Sequence, residues 1–206
     1  MHLDTDAILW DHADREDPPL LVLLHGLGSH EGDLFGLVPH LPAGLDIASL
    51  RAPLVTAYGG RAWFELELLP DGPPQHRAEQ IVAAGEAVVE WLDSLGSKYS
   101  RIGLLGFSQG AAITLKVASM IPERLACVVA LSGLLPKSLD DAPVTNLPAF
   151  VAVGDFDPVI GAERSEQFVS WSQEHLAATV RHYPMAHQVV AEELDDIREF
   201  LTEHLV

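Results

Sequence analysis

Hydrophobic and polar positions divide the chain into two kinds of segment that alternate along its length. Short apolar runs predict β-strands at residues 20–24, 46–50, 101–106, 125–131, 148–153 and 180–183. Longer stretches with apolar residues at helical spacing predict helices at residues 78–95, 109–119, 162–176 and 191–205. Since strands and helices alternate, we expect an α/β fold with a mostly parallel central sheet flanked by helices.

Length and composition favour one domain. The chain has 206 residues and 48% hydrophobic residues, enough for one sizeable core, so we predict a single domain over residues 1–206. Within it, residues 1–19 form a short N-terminal segment in which residues 7–10 are a candidate edge strand. The longest irregular stretch covers residues 52–75 and is rich in glycine and proline. A loop of this length in a compact domain is often functional.

Charge narrows the choice of partners. The formal net charge is -18, and such an acidic protein repels polyanions, so nucleic acids and anionic membrane surfaces are poor partners. The N-terminus lacks the basic start of a signal peptide, and no apolar run approaches the roughly 20 residues of a membrane span. We therefore expect no stable membrane insertion and a cytoplasmic location. The one cysteine, Cys127, lies in an apolar run and is expected to be a buried thiol.

The pattern G-x-S-x-G occurs once, at residues 106–110, with Ser108 at its centre. It lies between a predicted strand and a predicted helix, where the two glycines allow a sharp turn that exposes the serine hydroxyl. The five-residue pattern alone is weak, but its strand-turn-helix context favours a nucleophile over an ordinary helix cap.

A serine hydroxyl needs a base, and the base needs an acid that orients it. Asp155 and Asp157 both follow the strand predicted at residues 148–153, and His187 follows the next strand. The carboxyl ends of parallel strands meet at one sheet edge, so these side chains are expected beside Ser108. We favour Asp157 as the acid because Pro158 restrains the backbone after it. Asp155 is then expected to support the turn through bonds to the backbone.

A glycine-containing loop, residues 24–28 (L-H-G-L-G), follows the first apolar strand. We expect the backbone N–H groups of Leu27 and of Gln109, the residue after the serine, to form an oxyanion hole. His25 is interpreted as a hydrogen-bonded structural residue rather than a base. The ten histidines include no H-E-x-x-H pattern, and with a single cysteine no metal site is predicted.

Taken together, these motifs resemble the carboxylesterase and phospholipase family of α/β-hydrolases that includes the acyl-protein thioesterases. The resemblance runs from about residue 20 to the C-terminus, and its motifs occur in the family's order: Leu24-His25-Gly26-Leu27-Gly28, Arg51-Ala52-Pro53, Trp63-Phe64, Gly106-Phe107-Ser108-Gln109-Gly110, Leu131-Ser132-Gly133, Asp157-Pro158-Val159 and His187.

The resemblance implies an α/β-hydrolase fold, the triad Ser108, Asp157 and His187, and hydrolysis of esters or thioesters without metal or cofactor. It also implies that Trp63 and Phe64 lie near a small-molecule substrate. Only about a dozen residues separate Gly133 from the next strand, so no lid domain is expected and the site should be open. The expected substrate-binding residues are Trp63, Phe64, Leu134, Phe156, Val159 and Met185.

Several functions remain open at this level. The favoured one is a carboxylesterase acting on a small or medium acyl substrate through an acyl-enzyme intermediate. A thioesterase or lysophospholipase would use the same triad, and a dienelactone-hydrolase-like or peptidase activity would use the same fold. A non-catalytic ligand-binding protein is the alternative of a different class, although such proteins are expected to lack a triad member. A homodimer is compatible with each of these functions.

Overall fold

The computed structural model describes residues 1–67 and 75–206. In this part of the chain the strands are β1 (Leu9–Asp11), β2 (Leu20–Leu24), β3 (Asp46–Leu50), β4 (Leu54–Val55), β5 (Arg61–Ala62), β6 (Leu66–Glu67), β7 (Gln75–His76), β8 (Ile102–Phe107), β9 (Cys127–Leu131), β10 (Pro148–Gly154) and β11 (Ala177–Tyr183). The helices are α1 (Gly32–Phe35), α2 (Ala78–Ser94), α3 (Gln109–Met120), α4 (Ala162–His175) and α5 (Ala191–His204).

Seven strands form the central sheet, in the order β1-β3-β2-β8-β9-β10-β11. Only β1 runs antiparallel to its neighbour, pairing Leu9 with Ser49, and the other neighbouring strands are parallel. Parallel neighbours need crossover connections, which the helices supply, so both faces of the sheet become covered. The predicted mostly parallel sheet with flanking helices is confirmed. The edge strand predicted at residues 7–10 begins two residues later, as β1.

The core has two layers because alternate residues of each strand point to opposite faces. On one face, Leu20, Val22 and Leu24 of β2 pack in a cluster that includes residues of α2, α3 and α4. On the other, Leu21 and Leu23 pack in a cluster that includes residues of α1 and α5. This two-sided burial explains why the central strands read as continuous apolar runs. Cys127 is buried in the second layer, and desolvation raises the pKa of its thiol to about 12.

The largest difference from the predicted strands is at β11, which begins at Ala177 rather than at residue 180. This strand lies at the edge of the sheet and is partly exposed, so its first residues lack the apolar signal of a central strand. The stretch predicted to be irregular holds two short antiparallel pairs, β4 with β5 and β6 with β7. The proline-rich part of that prediction, at residues 70–74, lies outside the described residues.

The carboxyl ends of β2, β8, β9, β10 and β11 meet at one edge of the sheet, as parallel strands must. The connection between β9 and β10 holds one short 3-10 turn, Lys137–Leu139, in keeping with the expectation of no lid domain. None of the helices in the described residues is long and apolar enough to cross a membrane.

Candidate active site

Ser108 occupies a sharp turn between β8 and α3, with φ 54° and ψ -114°. Residues other than glycine rarely adopt such a positive φ, so the packing around the turn must hold the backbone of Ser108 in this conformation. A Cβ on Gly106 would lie 2.3 Å from the carbonyl oxygen of Gly110, and one on Gly110 would lie 1.8 Å from that of Leu24. Both glycines of the G-x-S-x-G pattern are therefore required sterically, and the turn presents Ser108 at the carboxyl end of β8.

The loops after β10 and β11 are joined by their own backbones. The N–H of Asp155 donates to the carbonyl of Tyr183 (2.9 Å), and the N–H of Phe156 donates to that of Met185 (3.0 Å). These bonds extend the pairing of the two strands past their ends, so the acid loop and the histidine loop are fixed relative to each other.

Asp157, His187 and Ser108 form one continuous hydrogen-bonded chain. Nδ1 of His187 lies 2.7 Å from Oδ2 of Asp157, and Nε2 lies 3.0 Å from Oγ of Ser108. A carboxylate only accepts hydrogen bonds, so Nδ1 carries the proton and Nε2 is the acceptor for the serine hydroxyl. This tautomer leaves the imidazole able to take the proton of Ser108. The ring of His187 also packs against Phe107, with ring centroids 4.8 Å apart.

The two competing aspartates differ in burial and in partners. The side chain of Asp157 is 1% exposed, and its Oδ1 accepts the backbone N–H groups of Val159 (2.8 Å) and Ile160 (3.0 Å). Asp155 is 48% exposed, and its carboxylate lies 3.3 Å from Nδ1 of His182 at the surface. The geometry therefore pairs Asp157 with His187, as predicted. The expected division of roles was wrong in one respect, since the turn is supported by side-chain bonds from Asp157 and not from Asp155.

Two backbone N–H groups next to Ser108 are without an acceptor. Within the described residues neither Leu27 nor Gln109 donates its N–H to any group. The Leu27 loop is held by its neighbours, because the N–H of Gly28 donates to the carbonyl of Arg61 and Arg61 returns a bond to Ser29, both at 2.8 Å. Gln109 is the first residue of α3, where a helix has no internal acceptor for its N–H. Neither N–H group is used within the described residues, and their role as an oxyanion hole stays a prediction.

A cleft of about 510 Å³ opens over the serine and the histidine. Its size suits a small or medium ligand. The described residues that line it are Leu27, Leu66, His76, Ser108, Gln109, Leu134, Leu135, Pro136, Lys137, Asp140, Val159, Ile160, Arg164, Gln167 and His187.

Comparison with known proteins places the chain in a family. The family model described as Phospholipase/Carboxylesterase matches residues 11–205, which is nearly the whole chain. The chain belongs to this family. The resemblance inferred from the sequence motifs is thereby confirmed, and the chain is a member of a hydrolase family that includes carboxylesterases and acyl-protein thioesterases.

Individual relatives agree with this assignment. The chain is 29% identical to acyl-protein thioesterase 1 of Saccharomyces cerevisiae, over 90% of this chain and 92% of the yeast protein. Among solved structures, the acyl-protein thioesterase 2 of Zea mays has a TM-score of 0.81 and 23% identity, covering 97% of this chain and 99% of the maize chain. The Bacillus cereus carboxylesterase has a TM-score of 0.81 and 21% identity, covering 96% and 94%. Both structures show that the fold is shared.

In this Phospholipase/Carboxylesterase family member, Trp63 and Phe64 do not line the cleft as far as the described residues show. Both side chains are completely buried in the core, so the expectation that they contact substrate is corrected. Nε1 of Trp63 donates to the carbonyl of His25 (2.8 Å), which places the indole behind the Leu27 loop. Burial of this kind makes Trp63 a support for the loop.

The other four expected substrate residues divide evenly. Leu134 and Val159 line the cleft. Met185 is 3% exposed and packs in the core layer of α5, while Phe156 is 70% exposed and lies outside the described cleft lining. The side chain of Met185 does not reach the cleft because it is buried in the core, while its backbone carbonyl accepts the N–H of Phe156.

Sequence reasoning missed how the Gln109 side chain is used. It is 1% exposed, with Oε1 accepting the N–H of Trp63 (3.0 Å) and Nε2 donating to the carbonyl of Phe64 (2.9 Å). Hydrogen bonds of this kind, between a side-chain amide and a backbone segment far away in the sequence, have no periodic sequence signal. His25 has the structural role that was predicted. Its Nδ1 donates to the carbonyl of Gly26 (2.8 Å), its Nε2 accepts the N–H of Ala52 (3.2 Å), and burial lowers its pKa.

Proposed function

We propose that this chain is a serine esterase that hydrolyses a carboxylic ester through an acyl-enzyme intermediate. Ser108 is the nucleophile, His187 the general base and then general acid, and Asp157 the residue that orients the imidazole. The observation that carries the proposal is the hydrogen-bonded chain from Asp157 through His187 to Ser108, which ends in an open cleft.

In the first step Oγ of Ser108 attacks the ester carbonyl carbon while its proton passes to Nε2 of His187. The buried carboxylate of Asp157 stabilises the imidazolium that forms, because it already accepts the Nδ1 proton. The carbonyl oxygen becomes an oxyanion that the N–H groups of Leu27 and Gln109 bind. Collapse of this intermediate breaks the bond to the alcohol oxygen, which takes the proton from His187.

The second half repeats the sequence with water. His187 accepts a proton from the water that attacks the acyl carbon, and then returns a proton to Oγ of Ser108 as the carboxylic acid leaves. Each proton transfer uses Nε2, which is the ring nitrogen that faces Ser108. No group beyond these side chains and the two backbone N–H groups is needed to balance the reaction.

The leaving group decides between a carboxylesterase and its alternatives on the same triad. A thioesterase releases a thiol in place of an alcohol, and a lysophospholipase acts on an acyl ester of a phospholipid. The cleft of about 510 Å³ supports a small or medium acyl substrate. We favour a carboxylic ester, and hydrolysis of p-nitrophenyl esters of graded chain length beside an acyl thioester separates these alternatives.

The direct test of the nucleophile is Ser108→Ala. If the triad acts as a unit, kcat falls by on the order of 10⁶. A variant that keeps more than about a tenth of the wild-type kcat rules out Ser108 as the nucleophile. A wild type that hydrolyses no ester and no thioester would instead favour the non-catalytic alternative.

A matched control is Ser132→Ala. Ser132 is also a buried serine with positive φ (45°) at the end of a neighbouring strand, and its hydroxyl has no hydrogen-bond partner in the described residues. This variant should retain hydrolysis, so that loss of activity in Ser108→Ala alone reports on chemistry. Thermal unfolding of both variants near the wild-type Tm confirms that the fold survives.

A further inference from the structure

One wall of the cleft is basic. Lys137 of the 3-10 turn and Arg164 of α4 both line it, together with His76 and with Gln167, which lies one helical turn after Arg164. Asp140 is the one acidic side chain among the described lining residues. Two cations and an amide therefore face the space into which Ser108 and His187 also open.

These cations are unusual in so acidic a protein. The chain has 12 lysine and arginine residues against 30 aspartate and glutamate residues. Five of the other ten cations lie within 4.0 Å of a carboxylate, whereas Lys137 and Arg164 belong to the half-dozen or so with no such partner in the described residues. Two like charges in one cleft, with no ion-pair partner in the part of the chain that the structure describes, raise the local potential and attract an anion.

His76 supplies a neutral hydrogen-bond donor beside them. Its Nε2 accepts the backbone N–H of Lys137 (3.4 Å), so the ring proton resides on Nδ1. Burial lowers the pKa of His76, and the positive charges of Lys137 and Arg164 lower it further. The neutral ring adds a donor without adding a third charge, and it lines the same cleft as both cations.

We propose that the cleft selects ester or thioester substrates that carry a carboxylate or phosphate group, with Lys137 and Arg164 binding that group. This inference rests on the proposed function, because it names the class of substrate for the same site. A wholly uncharged acyl chain would gain nothing from the two cations and would remove their hydration. A substrate anion recovers that loss through charge-assisted hydrogen bonds.

Matched pairs of substrates test the proposal. In one pair, the p-nitrophenyl half-ester of adipic acid is compared with the neutral ester in which an isopropyl group replaces the free carboxylate. In a second pair the charge is on the alcohol side, as carboxymethyl hexanoate against isobutyl hexanoate, and the phosphoethyl ester of hexanoic acid extends this arm to phosphate. We expect a higher kcat/KM for the anionic member than for the neutral one in at least one of the two sets of substrates. The set that shows this preference identifies whether the anion is on the acyl side or on the alcohol side of the ester.

Charge-removing variants link the preference to the two cations. Lys137→Met and Arg164→Met should each lower the anionic-to-neutral ratio of kcat/KM by about three- to tenfold, as expected for partly exposed charge pairs. Asp140→Asn should raise the ratio. Arg198→Met, which removes a cation on the exposed face of α5, is the control and should leave the ratio unchanged. Added salt should reduce the wild-type preference.

Binding to the inactive Ser108→Ala protein separates this inference from the proposed function. Calorimetry should show tighter binding of the adipate half-ester than of its neutral partner, whether or not the wild type cleaves either. If the anionic ester binds better but is not hydrolysed, the proposed function fails and the anion site stands. If neutral esters are hydrolysed as well as anionic ones in every arm, or the Lys137 and Arg164 variants leave the ratio unchanged, the anion site is overturned.

Discussion

At the scale of single residues, the site depends on which carboxylate reaches His187. Asp155 and Asp157 are two residues apart in one loop, yet only the buried Asp157 contacts the imidazole, while Asp155 lies at the surface beside His182. The carboxylate of Asp157 is held in place by three hydrogen bonds, since one of its oxygens accepts two backbone N–H groups and the other accepts the Nδ1 proton of His187. The pair therefore offers a matched comparison.

Asp157→Asn should lower kcat by about 10⁴, the loss recorded for this change in a triad of another fold, because an amide favours the wrong tautomer of His187. Asp155→Asn should lower kcat by less than about tenfold, since its exposed side chain makes no contact with the triad. Steady-state kinetics on a p-nitrophenyl ester, with thermal unfolding of both variants, measures the difference. A greater loss in Asp155→Asn would show that the acid has been misassigned.

At this scale the sequence predicts a residue's role correctly where a motif determines the backbone geometry. It fails where the role depends on whether the side chain is buried in the core. Ser108, Asp157 and His187 were predicted to lie together because motif order and strand ends determine their positions. Trp63 and Phe64 were predicted at the substrate, but an aromatic pair in a loop carries no signal that tells a core residue from a surface one. Their burial depends on bonds to His25 and Gln109, residues 38 and 45 or more positions away.

At the scale of elements, the turn between β8 and α3 determines whether Ser108 is presented at all. The helix begins directly against the end of β2, and Gly110 has no room for a side chain beside the carbonyl of Leu24. The contact is backbone to backbone, so it cannot relax by a change of rotamer. Stability and activity are coupled at this point.

Gly110→Ala should destabilise the protein by about 1–3 kcal/mol or more, because the added methyl overpacks the junction. It should also lower kcat, since the turn must shift. Gly85→Ala in α2 is the control, where the new methyl would meet the side chain of Lys116 rather than backbone. Urea denaturation should place that control within about 1 kcal/mol of the wild type. Equal stability of the Gly110 variant and the wild type would contradict this account of the turn.

The first turn of α5 contains a buried carboxyl that makes stability depend on pH. Glu193 is completely buried, one of its oxygens accepts the N–H of Val190 (3.3 Å) and the other has no partner in the described residues. Desolvation raises its pKa to about 7. In the unfolded chain the pKa of an exposed glutamate is about 4.5. Between pH 4.5 and pH 7, Glu193 is therefore largely deprotonated in the unfolded chain but still protonated in the folded protein, so the free energy of unfolding falls as pH rises.

Glu193→Gln imitates the protonated side chain and keeps an oxygen for the N–H of Val190. Relative to this variant, the wild type should lose up to about 3 kcal/mol of unfolding free energy between pH 4.5 and pH 8. Urea denaturation of both proteins across this range gives the difference directly and cancels the titration of other groups. Parallel pH profiles for the two proteins would show that Glu193 does not titrate in this range.

At the scale of the whole molecule, the parallel sheet brings together loops that are far apart in sequence. Ser108 follows β8, Asp157 follows β10 and His187 follows β11, and all three reach one edge because those strands run in the same direction. This arrangement was predictable from the alternation of apolar runs and helical stretches. The cleft wall was not, since Lys137, Arg164 and His76 come from a turn, a helix and a short hairpin that have no shared pattern.

The central claim is that the fold activates one serine, and covalent labelling tests it most directly. A fluorophosphonate should phosphonylate Ser108 with loss of fluoride, giving one adduct per chain by intact-mass spectrometry and one modified peptide containing residues 106–110. Unfolded protein and the His187→Ala variant should label far more slowly, because neither has a base positioned beside Ser108. Labelling at another residue, or none on the folded wild-type protein, would contradict the assignment of Ser108 as the nucleophile.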